Sequence, residues 1–358
     1  MEKIKLGDLC NPCQGQIKVQ PGTIIDYIDI SSIDNNSKTV SGYQTMTFAE
    51  APSRARKAVK KGNILVSTVR PNLNAVAIVE DATPNMTVAS TGFCVLDCKE
   101  NVDKRFVLNF CKSKAFIDEM VAQATGASYP AVSDKIVRAA LVPSYSFHDQ
   151  IKIGEILDKV SLIIAKRKSE LTYLDNLVKA RFVELFGDPI SNSKNLETKS
   201  LNEIMILKAG DFTAASAISD TLTETHRYPC YGGNGIRGFV AEYNQEGEYS
   251  LIGRQGALSG NVQYAKGRFK NTEHALLVTP KIQMNSIWLN QLLINLELKR
   301  FQTGAAQPGL SVKNLQDIPI ITVSIEKQNR FADFVAKIDK SKCDASNITS
   351  ATQYQLAS

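Results

Sequence analysis

The sequence predicts an α+β fold: two pseudo-symmetric globular α/β bodies joined by two long antiparallel coiled-coil helices. Three observations carry this. A proline-free run over residues 148–186 keeps helical apolar spacing for about ten turns. A shorter run of the same kind starts near Ser324. The stretches that precede the two runs match each other at a constant offset of 178 residues.

A chain of 358 residues with 43% hydrophobic and 22% charged residues can bury real cores, and its length suits two to three domains. The net charge of +6 is mildly basic, which permits nucleic-acid binding without demanding it. No apolar run reaches membrane-spanning length and no charged-then-apolar leader follows Met1, so the expectation is a soluble, cytoplasmic chain without a membrane partner. Seven cysteines, with Cys10 and Cys13 in C-x-x-C spacing, lack a second tight pair or nearby histidines. Reduced, partly buried thiols are expected, and no metal.

In the first body, residues 3–9 read as a short strand or turn entry and 24–30 as a strand. Residues 63–69 and 75–79 read as two strands around a turn punctuated by Pro71, Asn72 and Asn74. Residues 91–96 form a further strand. Val102, Phe106, Phe110, Phe116 and Ile117 stripe a helix over 102–121. A loop at 125–130 and a short strand at 139–142 follow. The second body repeats the order: strands at 250–252, 261–264 and 275–278, a helix over 285–301 carrying Trp288, Leu292, Leu293 and Leu296, a loop at 303–308 and a strand at 318–321.

The repeat is stricter than element order. Thr125 falls on Thr303, Gly126 on Gly304, Pro130 on Pro308, Ser133 on Ser311, Lys135 on Lys313 and Gln150 on Gln328, with no gap. Such a match implies a duplication.

In the central run the apolar residues fall four and three apart: Ile153, Leu157, Val160, Ile164, Leu171, Leu174, Val178 and Leu185, with Arg167 and Arg181 filling the remaining positions. Such a helix spans roughly 58 Å at 1.5 Å per residue, longer than a compact domain needs, which suits a spacer. The last run keeps the seam at Phe331, Val335 and Ile338, then weakens to Lys342, Ala345, Thr349 and Thr352. The natural partner of the first seam is the second, although a neighbouring domain or another copy of the chain could also cover it.

Catalytic signatures are scarce. Gly233-Asn234-Gly235-Ile236-Arg237-Gly238 fits G-x-G-x-x-G, but Pro229 precedes it and an alternating strand-like stretch follows, so a glycine-rich hairpin or loop is the better reading than a nucleotide site. Glu297-Leu298-Lys299 has nuclease-like spacing on an expected helix face, where solvated charge is the plainer reading. There is no phosphate loop, nucleophile elbow or adenine-methyltransferase signature. Instead, several stretches mix basic, amide and small residues beside aromatics. Arg70, Asn72, Asn74, Thr125, Gly126 and Tyr129 fall in the first half; Tyr231, Gly233, Asn234, Arg237, Arg254, Gln255, Lys266, Arg268, Thr303, Gly304 and Gln307 fall in the second. Arg, Asn and Gln read base edges through paired hydrogen bonds, while Lys and glycine-loop amides hold phosphates. These residues are the candidate DNA contacts.

Taken as a set, residues 228–238, 251–256 with Gly260-Asn261-Val262, 303–310, Glu326-Lys327-Gln328, Glu184-Leu185-Phe186-Gly187, and Ile64 to Ser67 with Val69-Arg70-Pro71 resemble the specificity subunits of type I restriction-modification systems. The resemblance covers nearly the whole chain. It implies target recognition domains at 1–145 and 188–323, and spacer helices at 146–187 and 324–358. Each domain would read half of a split double-stranded DNA target. Two methyltransferase subunits would dock on the scaffold and methylate adenine with S-adenosylmethionine, a cofactor of the partner and not of this chain, and a restriction subunit could join. The chain itself would carry no catalytic site. One departure is that the first half lacks the Gly-Gly-Asn-Gly loop, so contacts at that motif transfer only to the second half. A fused methyltransferase or nuclease, or a repeat scaffold with no DNA role, are the competing readings.

Overall fold

The computed structural model describes residues 2–12, 15–35, 37–81, 83–304 and 308–357, with side chains to residue 342. The chain forms two compact units, Met1–Lys166 with Thr352–Ser358, and Arg167–Ala351. The central helix, Phe147–Phe186, is continuous and contributes one half to each unit.

The first unit holds a five-stranded sheet, in the order Phe93–Leu96, Ile64–Ser67, Val76–Ile78, Thr39–Val40, Ile33–Asp34, and a four-stranded sheet, in the order Gln44–Thr47, Ile24–Ile28, Met86–Ser90, Ala55–Ala58. The two strands expected around residues 63–79 pair antiparallel, Leu65 opposite Ala77. The helix expected over 102–121 is two, Lys104–Lys112 and Lys114–Gln123. Ser113 takes an extended backbone between them, and its hydroxyl accepts from the Phe116 amide, so the break is an N-cap. Both helices bury their apolar stripe, Phe106, Val107, Cys111, Phe116 and Met120, in one core, the first against the Ile64 and Val76 strands and the second against the first helix and the Pro71–Leu73 turn.

The second unit is built on a six-stranded sheet, in the order Met205–Ala209, Ala275–Pro280, Gln245–Gly253, Val262–Asn271, Tyr228–Gly232, Gly235–Val240. Its helix Ser286–Asn295 is capped by Asn285, whose Oδ1 accepts from the Ile287 and Trp288 amides. It ends earlier than the expected 301. Glu297 turns left-handed at φ 50°, and a 3₁₀ turn, Leu298–Phe301, follows. Glu297-Leu298-Lys299 therefore lies in a turn and not on a helix face. The strands expected at 250–252 and 261–264 are the inner ends of a much longer hairpin whose outer halves are polar, which hid them from an apolar pattern.

The duplication is visible in hydrogen bonds. Lys3–Lys5 pairs with Leu141–Pro143, and Thr198–Ser200 with Pro319–Ile321, in the same antiparallel register. Leu6 N–H donates to Ala140 O, and Leu201 N–H to Ile318 O. Ser133 and Ser311 cap the next short helix in each unit. Likeness is strict next to the long helices and fades in the sheets.

Half-buried and buried positions on the central helix follow the expected seam. Ile153 packs on the first unit's core, while Leu157, Val160, Ile164, Arg167, Leu171 and Leu174 are half-buried and Val178 is buried. The pattern shifts at the end: Phe182 and Phe186 are buried, and Leu185 is 38% exposed. In the second unit this half packs antiparallel against the last helix, Ile325–Ala357, as far as its side chains are described, to Lys342. Phe186 meets Phe331 at 5.8 Å, the Arg181 guanidinium lies 5.8 Å from the Phe334 ring, and Lys342 bonds Asp175 at 2.8 Å. Val335 and Ile338 join the same core. Lys342 keeps the seam as half of an ion pair; the side chains at Ala345, Thr349 and Thr352 lie outside the described residues.

Candidate nucleic-acid interface

Each unit presents a pair of docked loops. In the first, the backbones of Thr125 and Ala131 exchange hydrogen bonds of 2.9 and 2.8 Å, closing the loop that contains Gly126 and Tyr129. In the second, Thr303 and Gly309 do the same at 2.9 Å each. Gly126 and Gly304 are left-handed at φ 101° and 93°, a conformation that costs glycine little. Each closed loop then docks on the loop leaving a buried strand. Val132 N–H donates to Thr68 O and Arg70 N–H to Pro130 O; Leu310 N–H donates to Arg254 O and Gly256 N–H to Pro308 O. These bonds fix a correspondence that sequence spacing did not: Thr68 with Arg254, Val69 with Gln255, and Arg70 with Gly256.

On the first unit's surface, Arg70, Asn72, Thr125, Gly126 and Tyr129 are all exposed. The Arg70 guanidinium lies 4.8 Å from the centre of the Tyr129 ring, and Tyr129 is 68% exposed. Asn74 differs. It is half-buried and left-handed, its Nδ2 reaches Lys112 O at 3.4 Å, and its carbonyl receives the Lys38 ammonium, so it shapes the loop from beneath.

In the second unit, Gly233, Asn234, Arg237, Gln255, Gly256, Ala257, Leu258 and His274 line an open recess of about 400 Å³. The glycine-rich motif forms the turn between strands Tyr228–Gly232 and Gly235–Val240, as a hairpin reading expects, with no helix behind it to complete a dinucleotide site. Gly233 sits close to its neighbours: a Cβ there would lie 3.1 Å from His274 O and 3.3 Å from the Gly253 Cα. His274, which spacing gave no reason to choose, is brought in by the pairing of Gly253 with Ala275. Its Nδ1 lies 3.0 Å from Gln255 Oε1, and its Nε2 lies 3.1 Å from Glu273. Asn261 Nδ2 donates to Asn234 Oδ1 at 3.3 Å.

Other candidates serve the frame or lie elsewhere. Arg254 is half-buried and donates to Glu273 O at 3.1 Å. Tyr231 packs edge-on against Phe269 at 5.4 Å, and burial raises its phenol pKa. Lys266 and Arg268 sit four and six residues along their strand from Val262, roughly 13 and 20 Å at strand rise, and pair with Glu248 and Glu246. Thr303 and Gly304 are in the docked loop; Gln307 lies outside the described residues.

The chain is 32% identical over 331 residues to the EcoprrI specificity subunit of Escherichia coli, a type I restriction enzyme, covering 88% of this chain and 80% of that protein. The chain belongs to the type I restriction enzyme specificity subunits. A family model described as the type I restriction modification DNA specificity domain matches residues 193–351 of this specificity subunit. The HindI specificity subunit of Haemophilus influenzae is 26% identical over 230 residues, 62% of this chain and 48% of that protein. The fold matches a type I restriction-modification S subunit from M. genitalium with a TM-score of 0.58 at 17% identity, covering 99% of this chain and 93% of that one. A chain from a structure describing assembly and conformational transition of the type I R-M system gives 0.56 at 22% identity, again over 99% and 93%.

Proposed function

We propose that this specificity subunit is the DNA-reading, non-catalytic component of a type I restriction-modification complex. Its two units each read one half of a bipartite double-stranded target. Two adenine-methyltransferase subunits dock on it and carry the S-adenosylmethionine, and a restriction subunit can join. The observation that carries this reading is the doubled loop pair. The same backbone bonds dock a Thr-Gly loop against a post-strand loop in both units, and each pair exposes arginine, amide or aromatic side chains. A duplicated frame with divergent side chains suits two half-sites of different sequence. Base edges are read by such side chains, and the loop amides and hydroxyls suit phosphates.

A genome-wide map of methylated adenine, taken with and without the gene for this chain, tests the proposal. The expected result is a split motif that disappears with the chain. Methylation that persists unchanged, or DNA cleavage or methylation by the purified chain alone, would refute it. Binding of the assembled complex should also weaken steeply as salt rises, since phosphate contacts release counterions.

A further inference from the structure

Arg70 and Gly256 occupy the same place in the two docked-loop frames, and both are left-handed, at φ 49° and 75°. Glycine takes that conformation freely, whereas an arginine is strained in it. The second unit therefore shows what the frame needs at this position, and the first departs from it by adding a long basic side chain at a conformational cost. Within the protein the side chain makes one exposed ring contact. It is exposed and rests on Tyr129, which is itself exposed on the partner loop. A guanidinium held over an aromatic face keeps N–H donors at its edge available to a ligand.

The second unit has an arginine beside this position as well, supplied by another element. Arg237, from the hairpin strand Gly235–Val240, lines the recess that contains Gly256. The first unit has no Gly-Gly-Asn-Gly hairpin, and there the loop itself carries the arginine. Both units thus hold one exposed guanidinium next to the same backbone turn, by different routes.

The geometry points to Arg70 as a specificity-determining residue of the first unit, reading a guanine of one half-site through its paired N–H edge while Tyr129 holds the guanidinium plane. This rests on the DNA-reading function proposed above and names a residue and a base for it. Arginine donating to O6 and N7 of guanine is the commonest specific major-groove contact, and a pre-stacked guanidinium pays less to be ordered on binding.

The test uses the complex assembled with its methyltransferase subunits and duplexes carrying the target that the wild-type methylation map defines. A wild-type map without a split motif defeats the underlying reading and, with it, this role; the outcomes below defeat the role of Arg70 alone. With the target in hand, each base pair is substituted in turn, and binding is measured for wild type, Arg70→Gly and Arg70→Lys. Arg70→Gly should bind the cognate duplex about ten- to a hundredfold more weakly and lose discrimination at one G·C pair of one half-site. Its affinity for duplexes already substituted at that pair should stay unchanged. Its thermal midpoint should be no lower than that of wild type, because glycine relieves the left-handed strain. Arg70→Lys keeps the charge and the strain but loses the paired edge, and should lose discrimination at the same pair; it carries the test if the glycine variant does not fold. Uniform weakening on every duplex would make Arg70 a phosphate contact and overturn the inference. So would unchanged discrimination, or a glycine variant that is destabilised but still reads every base.

Discussion

Two buried glutamines do the same task at the same place in each unit. Gln150 donates to Tyr145 O at 3.0 Å and accepts from the Asp103 amide at 3.1 Å; Gln328 donates to Val323 O at 2.9 Å and accepts from the Asn285 amide at 2.8 Å. Asp103 and Asn285 are the N-caps of each unit's helix, so one side chain ties the start of a long helix to the start of a domain helix. The glutamines stood out in the repeat, yet their role did not, because the amides they satisfy lie 47 and 43 residues away. Replacing either with leucine leaves a buried amide unpaired, and urea unfolding should show a loss of about 1–3 kcal/mol in its own unit. A loss near zero would show that water or a neighbouring oxygen replaces the bond. The same distance problem hid His274, whose place beside Gln255 is set by strand pairing.

Among elements, the central helix was read almost completely, since spacing of four and three is a local property of the chain. The one misplacement is informative. Leu185 continues a strict seven-residue repeat, but the buried residues at the end are Phe182 and Phe186, four apart from each other and from Val178. There the helix leaves the coiled-coil seam and docks on the second unit's core, where Phe182 also meets Trp288 at 6.3 Å and Phe331 at 5.5 Å. Phe182→Ala should therefore cost about 3–5 kcal/mol, and Leu185→Ala under about 1 kcal/mol, in denaturant melts of the same chain. The polar halves of the strands Gln245–Gly253 and Val262–Asn271 were not legible, because their cross-strand pairs are charges and hydroxyls. Glu248 accepts from Lys266 at 2.9 Å, Tyr264 at 2.8 Å and Ser286 at 2.9 Å, tying the hairpin to the first turn of the helix. The Lys266 ammonium, then the Tyr264 and Ser286 hydroxyls, hold its carboxyl down to about 2 from the ordinary 4.5. A depressed carboxyl stabilises the fold above its unfolded value, and that contribution is lost as pH falls from 4.5 toward 2. The thermal midpoint of wild type should drop more steeply over this window than that of Glu248→Gln, and parallel curves would deny Glu248 the role.

For the whole molecule, the duplication was legible because it is strict where the chain attaches to its long helices, and it blurs where the two units differ in sheet order. That division suits a frame that must stay constant while its reading surfaces vary. If the long helices act as a ruler, their length and the unspecific gap in the DNA target must change together. One heptad inserted into both helices keeps the seam in phase and adds about 10 Å of helix, equivalent to about three base pairs of duplex. The insertion belongs in the middle of the central helix, well short of Val178 and beyond Ile153, with its counterpart in the last helix after Ile338, so that neither unit's core is cut. A methylation map of the altered complex should show both half-sites unchanged in sequence and the gap between them lengthened by two to three base pairs. The half-sites are the control, since they report that both readers remain folded. An unchanged gap with intact half-sites would refute the ruler and leave the helices as docking surfaces alone.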